Sequence, residues 1–287
     1  PLKTASLCFE IFQTEIIKYE PDFNIEDFQF IEPSAGDGNF LKVLPKNTIA
    51  IDVEPRGLEP YGSEPRGTVI KKDYLDWLPT TRASRDIRYI VFGNPPFGLR
   101  GHMALKFINH SSNFAEYVCF ILPQLFESDG KGVPRKRVKE MNLIFSKKIE
   151  SNFYEPDKNE VKINTIFQIW SRDHKNSEYD IKKYGDEKMK IYSMSDGGTV
   201  SSTRNKNMIG KCDTYLPSTC FGKENMKCYE NFEDLPGKKG YGILFKESDE
   251  KNELLNKMLN IVWNDVAFMS TNSAYNLRSS QIHASMF

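Results

Sequence analysis

FQFIEPSAGDG, residues 28–38, runs an apolar segment straight into a loop of small residues. Phe28, Phe30 and Ile31 have the character of a short buried strand, and Pro33 ends it. Ser34, Ala35, Gly36 and Gly38 leave little side-chain bulk in the loop. A strand, a loop with two glycines and then a helix beginning near Asn39 is an arrangement that lets a ligand approach backbone closely. A phosphate loop places Lys and then Ser or Thr after its last glycine, and Asn39-Phe40 stands there instead. An acidic side chain at the strand end, Glu32, repels phosphate and suits an ammonium group. The loop therefore points to a ligand with a positively charged amino-acid end.

Outward from this stretch the chain alternates. Before it, Leu7, Phe9, Ile11, Phe12, Ile16 and Ile17 sit mostly at helical spacing and predict an amphipathic helix that Pro21 ends. After it come short apolar runs at Thr48–Asp52, Thr68–Ile70, Tyr89–Phe92 and Tyr117–Leu122, bounded by turn residues. Such runs predict buried parallel strands in an α/β sheet. Val161–Trp170 (VKINTIFQIW) predicts a later strand, with a partner around Ile149–Tyr154 across a polar turn at Glu155–Glu160. From about residue 175 the composition shifts: His174–Lys211 is polar and Lys-rich, and Leu254–Phe268 is apolar at helical spacing. The expected division is 1–174 for an α/β domain and 175–287 for a smaller α+β region.

Bulk properties bound the reading. The 39 basic and 39 acidic side chains cancel, so any surface for a polyanion must be local. The five cysteines form no CxxC pair and the four histidines are scattered, so no metal site is expected. Nothing resembles a signal peptide and no apolar run reaches the ~20 residues that span a bilayer, so a soluble, cytoplasmic protein without a membrane partner is expected.

Three further positions carry chemistry. Asp52 ends the strand TIAID twenty positions after Glu32, where an acidic residue takes ribose hydroxyls in nucleotide-binding βαβ units; a surface carboxylate is the plainer alternative. Asp73-Tyr74 follows the next strand. Asp73 there either accepts from an adenine amino group, with Tyr74 or a neighbour flanking the ring, or simply N-caps the following turn. Asn94-Pro95-Pro96-Phe97 follows the strand YIVFG. Its two prolines fix the backbone and remove two N–H donors. An exocyclic amine on an aromatic ring is a poor nucleophile because its lone pair is delocalised. The Asn94 side-chain oxygen and the Pro95 carbonyl suit its two hydrogens, and Phe97 offers a stacking face.

Together EPSAGDG, IDVEP, DYLDW and NPPF, across about residues 1–170, resemble the amino-methyltransferase family, whose members methylate adenine N6, cytosine N4 or protein glutamine. The motif order is similar to the gamma arrangement of DNA adenine methyltransferases. The resemblance implies a Rossmann-like S-adenosylmethionine-dependent methyltransferase fold followed by a target-recognition region. It also implies a flipped DNA adenine as substrate, and leaves open whether a cognate restriction endonuclease is a partner. RNA stays open as a substrate, as does a non-catalytic nucleic-acid-binding subunit. Carried over, Glu32, Gly36 and Asp37 line the methionine end of S-adenosylmethionine, Asp52 holds the ribose, Asp73 and Tyr74 the adenine, and Ser34, Ala35 and Val53 also bind the cofactor. Asn94, Pro95, Pro96 and Phe97 form the catalytic loop, Asn94 also facing the cofactor, and Phe153 or Tyr154 a second wall for the base. Lys3-Thr4 resembles the family's N-terminal cofactor-facing segment, without its usual Thr-Pro. Phe107 either packs on the cofactor or belongs to the core. The C5-cytosine class needs a cysteine after proline, and no cysteine here follows one. The basic stretch Gly130–Lys139, with Lys182, Lys183, Arg204 and Lys206, holds candidate phosphate contacts.

Overall fold

The apolar runs pair into one seven-stranded sheet. Its strands are β1 (Phe28–Glu32), β2 (Ile49–Asp52), β3 (Thr68–Lys71), β4 (Arg88–Gly93), β5 (Tyr117–Pro123), β6 (Asn142–Ile149) and, after a small two-stranded ribbon of β7 (Asn152–Tyr154) and β8 (Glu160–Lys162), β9 (Thr165–Ser171). The order is β3-β2-β1-β4-β5-β9-β6, parallel from β3 to β5, with β9 antiparallel to both its neighbours. The computed structural model describes residues 2–55, 68–79, 87–128, 133–149, 152–154, 160–162, 164–180, 187–270 and 273–287, the two strands of the ribbon by backbone alone.

Successive residues of a strand face opposite sides. Along β5, Val118, Phe120 and Leu122 enter one apolar cluster, and Cys119 and Ile121 the other. Strand β4 does the same with Tyr89 and Val91 against Ile90 and Phe92. Each face is covered by a helix. The first, α1 (Leu2–Ile16), buries Ala5, Cys8, Phe12 and Ile16; the second, α2 (His102–Ser111), buries Ala104, Leu105, Phe107 and Ile108. This is the Rossmann-like α/β class that the sequence predicts. Because β1 and β4 are neighbours while the chain leaves β1 in one direction and returns at β4 in the other, the sheet's switch point lies between them. Ligands of such sheets bind beyond the carboxyl ends of the strands at that point.

Two expectations need correction. No helix starts near Asn39: residues 39–43 form turns, in which the Phe40 carbonyl accepts from Val43 and Leu44 N–H groups at 2.9 Å each. Pro45 stops any continuation before β2. The strand expected at Val161–Trp170 is two strands, β8 and β9, and β9 pairs with β6 from Asn142 to Ile149 rather than with a segment starting at Ile149.

Chain contacts divide the molecule into two compact units, Pro1–Glu127 with Gly132–Asp180 and Ser128–Lys131 with Ile181–Phe287. The second unit has two three-stranded antiparallel sheets. One joins β10 (Met189–Ser195), β11 (Thr214–Pro217) and β13 (Lys239–Phe245), the other β12 (Thr219–Phe221), β14 (Phe268–Met269) and β15 (Ala274–Asn276). Its helices are α3 (Lys251–Asn260), α4 (Trp263–Val266) and α5 (Ser279–Met286). The apolar stretch Leu254–Phe268 is therefore not one helix: Ile261 and Val262 adopt non-helical backbone between α3 and α4. Among the described residues no helix is long and apolar enough to cross a membrane. No group of three His, Cys, Asp or Glu among them could hold a metal ion.

Candidate active site

The loop after β1 and the loop after β4 meet at the switch point. Ile31 pairs with Val91 across the two strands. A Cβ on Gly93 would stand 3.3 Å from Pro33 Cδ and 3.4 Å from Glu32 Cγ, so glycine lets the loops close on each other. The Ser34 hydroxyl donates to the Asn94 carbonyl at 2.9 Å and pins them together. A third loop joins them from β2: the Asp52 carboxylate accepts from Gly36 N–H and from Glu54 N–H, both at 2.8 Å. Ala35 N–H donates to the Ile51 carbonyl at 3.1 Å. Gly36 has φ +50°, and a side chain there would meet nothing within 4 Å, so this turn faces open space.

Within this frame the polar atoms are unevenly served. Glu32 is 1 % exposed, and its Oε2 is buried without a hydrogen-bond partner among the described residues. Burial, and after it the negative charge of Asp52, push the Glu32 carboxyl well above the ordinary carboxylate range, against one backbone N–H from Leu41. The Asn94 Oδ1, just past β4, is also buried and unpartnered, and so is the Gln124 Oε1, just past β5. Strands β1, β4 and β5 are consecutive in the sheet, so these three acceptors, unpartnered among the described residues, share its carboxyl edge. Native interiors pair such atoms, because each one left bare costs about 1–3 kcal/mol. At the opposite edge the charges are satisfied: Glu20 accepts from Arg88 Nη2 at 3.2 Å and from Tyr117 Oη at 2.8 Å. Buried acceptors left unpartnered at this edge fit a ligand that brings cationic or amino N–H groups.

Several sequence-predicted positions join this frame. Glu32, Ser34, Ala35, Gly36, Asp52, Asn94 and Pro95 do so through the contacts above or by adjacency in the loops. Asp37 is exposed beside Gly36, and Val53 is exposed directly after Asp52. Pro96 is exposed, whereas Phe97 is half-buried against the cluster that includes Phe92, and its carbonyl caps α2 by accepting from Met103 N–H at 3.1 Å.

Others are placed differently. Asp73 N-caps the 3-10 turn Tyr74–Asp76, its Oδ1 accepting from Leu75 N–H at 2.9 Å. Tyr74 is corrected from ligand wall to core. It is 1 % exposed, its hydroxyl donates to Ser111 Oγ at 2.7 Å, and its ring packs 5.1 Å from that of Phe107. Phe107 is core for the same reason. Lys3 is exposed and Thr4 is buried on the inner side of α1. The side chains of Phe153 and Tyr154 lie outside the described residues, as do Lys182 and Lys183. In the second unit Lys206 pairs with Asp196 at 3.0 Å, and Arg204 is exposed. Gln124 escapes a sequence reading. Its signal is a polar residue directly after an apolar strand, ILPQ, and its place in the frame comes from which strands neighbour β5.

No family model and no curated protein matches the chain. Among solved structures it is similar to the 23S rRNA methyltransferase ErmE, at 14% identity over 56% of this chain and 67% of that one, with a TM-score of 0.37. It is similar to the Type IIL restriction-modification enzyme MmeI in complex with DNA, at 9% identity over 61% of this chain and 35% of that one, TM-score 0.39. A third is the magnesium protoporphyrin IX methyltransferase ChlM of Synechocystis with bound S-adenosylmethionine, at 9% identity over 59% of this chain and 79% of that one, TM-score 0.40.

Proposed function

We propose that this chain transfers a methyl group from S-adenosylmethionine to the exocyclic N6 of an adenine flipped out of DNA. The observation that carries the reading is the pair of buried, unpartnered oxygens, Glu32 Oε2 and Asn94 Oδ1, on loops that Ser34 holds together. Two acceptors of different charge at one sheet edge suit two different N–H bearing groups, an ammonium and an aromatic amine. The ammonium belongs on Glu32, because a carboxylate in a dry site gains most from a full positive charge. The backbone turn at Gly36, open to space, lets a ligand lie against the loop, and Asp52 keeps lone pairs beside its two backbone bonds for ribose hydroxyls. When bound, S-adenosylmethionine supplies an activated methyl group on a sulfonium. Asn94 Oδ1 and the Pro95 carbonyl each accept one hydrogen of the base's amino group, and this fixes the direction of its lone pair. Phe97 stacks on the base and returns roughly 1–3 kcal/mol of the cost of flipping. The protein's contribution is chiefly orientation, worth on the order of 7–11 kcal/mol when reacting atoms are aligned. The second unit is assigned to target recognition.

The reading separates two roles, and two variants test it. Asn94→Ala should bind cofactor as the wild type does and lose roughly 10²–10³-fold in kcat, the usual loss when one oriented polar group is removed from a reacting centre. Asp52→Ala should chiefly weaken cofactor binding. Calorimetry with S-adenosylmethionine, and nucleoside analysis of DNA and RNA labelled from a tritiated methyl donor, measure the two effects. Equal loss of cofactor affinity in both variants contradicts the assignment, and label in cytosine or RNA alone moves the substrate.

A further inference from the structure

The sequence between Leu99 and Ser111 contains Arg100 and Lys106 with two histidines and no acidic residue. Between Val133 and Lys139 stand Arg135, Lys136, Arg137 and Lys139, again with no acid. In a chain whose charges cancel overall, this is a strong local excess, and the fold joins the two stretches. Gly101, at φ +72°, sits where a Cβ would come within 3.5 Å of Pro134 Cγ, so the start of α2 packs closely on the 3-10 turn Pro134–Arg137. One helical face of α2 carries His102, Lys106 and Asn109, spaced four and three residues apart. Asn109 then ties the two elements: its Nδ2 donates to the Arg137 carbonyl at 3.1 Å and its Oδ1 accepts from Lys139 N–H at 2.9 Å. The result is a groove of about 390 Å³, floored by Leu75 and Leu105 and rimmed by His102, Lys106 and Arg137. None of these rim residues has been given a part in holding cofactor or base.

We propose that this groove holds the phosphodiester backbone of a nucleic-acid strand, with Lys106 and Arg137 as its phosphate contacts. The charge is positive and hydrophilic on the rim and the floor is apolar, which suits a strand carrying anionic groups on a less polar sugar chain. Two fixed positive charges from different elements, Lys106 on α2 and Arg137 on the neighbouring 3-10 turn, line the one groove, with the polar side chains of His102 and Asn109 on the same face of α2. Location ties the groove to the chemistry. The loop from Asn94 to Phe97 runs through Gly98 and Arg100 directly into α2, and the Phe97 carbonyl caps that helix. A nucleotide whose base rests on Phe97 has flanking phosphates that must leave the site along some surface, and the groove begins five residues further on. The inference rests on the proposed role of Asn94 and Phe97 for its substrate, but not for its measurement.

The test is binding by fluorescence anisotropy of a short labelled DNA duplex and of a single-stranded RNA of equal length, across a series of salt concentrations. Full-length wild type is compared with the double variant Lys106→Gln/Arg137→Gln and with a control pair of exposed lysines, Lys42→Gln/Lys147→Gln. Each lost phosphate contact should weaken binding by roughly tenfold near 0.1 M salt and lower the slope of log affinity against log salt by about 1. The double variant should therefore fall furthest and lose about 2 from the slope, while Lys106→Arg keeps both. Whichever polymer shows the larger loss is the strand the groove tracks. An unchanged slope in the double variant overturns the proposal, as does failure of both polymers to bind wild type while inorganic phosphate does. Calorimetry with S-adenosylmethionine on the same preparations reads the cofactor site separately. An unchanged slope in the double variant with cofactor affinity intact refutes only the groove, and absent cofactor affinity refutes only the methyl-transfer reading.

Discussion

A buried carboxyl with a bare oxygen is held for a purpose at some cost to the fold, and Glu32 makes both sides measurable. Burial and Asp52 raise its pKa in the folded chain, so the native state holds the proton more tightly than the unfolded state. Its contribution to stability is therefore largest at low pH and is lost as pH rises through the raised folded value. Glu32→Gln removes that pH-dependent cost, and the variant is expected to melt at a higher temperature than wild type at neutral and alkaline pH. The same change should weaken S-adenosylmethionine binding by roughly 10- to 100-fold, since a hydrogen bond to a charged group is worth about 1.5–3 kcal/mol. Binding an ammonium must pull the Glu32 pKa down, so wild-type affinity should rise with pH and binding should release a proton. Calorimetry in buffers of different ionisation enthalpy detects that proton, and the Gln variant should show none. A variant that is both less stable and unchanged in binding would refute the role. Glu32 and Asn94 were legible in the sequence because each follows an apolar strand and precedes residues that restrict the backbone. Gln124 was not, because an orphaned oxygen is a property of which strands lie side by side.

At the scale of elements, legibility followed burial. The parallel strands β1, β2, β4 and β5 are covered on both faces, so their sequences are nearly continuous apolar runs. Strand β6 is an edge whose Lys147 and Lys148 are exposed, and its pattern offers neither a run nor a clean alternation. Tyr74 misled for a related reason: an aromatic beside a strand-end Asp reads as a ligand wall, but the 3-10 turn that Asp73 caps rotates the ring inward. Tyr74→Phe separates the two roles. It removes a buried hydrogen bond to Ser111, which keeps its own bond to the Phe107 carbonyl at 2.8 Å. The expected cost is about 1 kcal/mol in denaturant unfolding with cofactor affinity unchanged; weakened affinity at unchanged stability would return Tyr74 to the site. Gly101 tests the junction of α2 with its neighbours. Alanine there meets a left-handed backbone, which costs about 1–2 kcal/mol, and Phe126 Cε2 at 2.9 Å. Gly101→Ala should therefore destabilise more than Tyr74→Phe, a ranking that the same unfolding curves check.

Across the whole molecule the apolar side chains sort into separate cores. The clusters around Phe120 and around Phe92 draw only on the first unit, and those around Trp263 and Tyr215 only on the second. The change in composition near residue 175 hinted at a second unit, whereas its two sheets were hidden by short, polar-flanked strands. A ligand that binds one folded core stabilises that core by mass action, about 2.7 kcal/mol at a hundredfold excess over Kd. With S-adenosylmethionine seated on loops of the first unit, scanning calorimetry should show that unit's transition moving up. The second unit's transition should stay where it is, and Glu32→Gln should cut the shift to about half or less at the same ligand concentration. The assignment of transitions can be made independently, because Gly101→Ala lowers only the melting of the first core. If the cofactor instead moves the transition that Gly101→Ala leaves untouched, the ligand sits on the second unit, and the acceptors at the carboxyl edge of β1 and β4 are not its site.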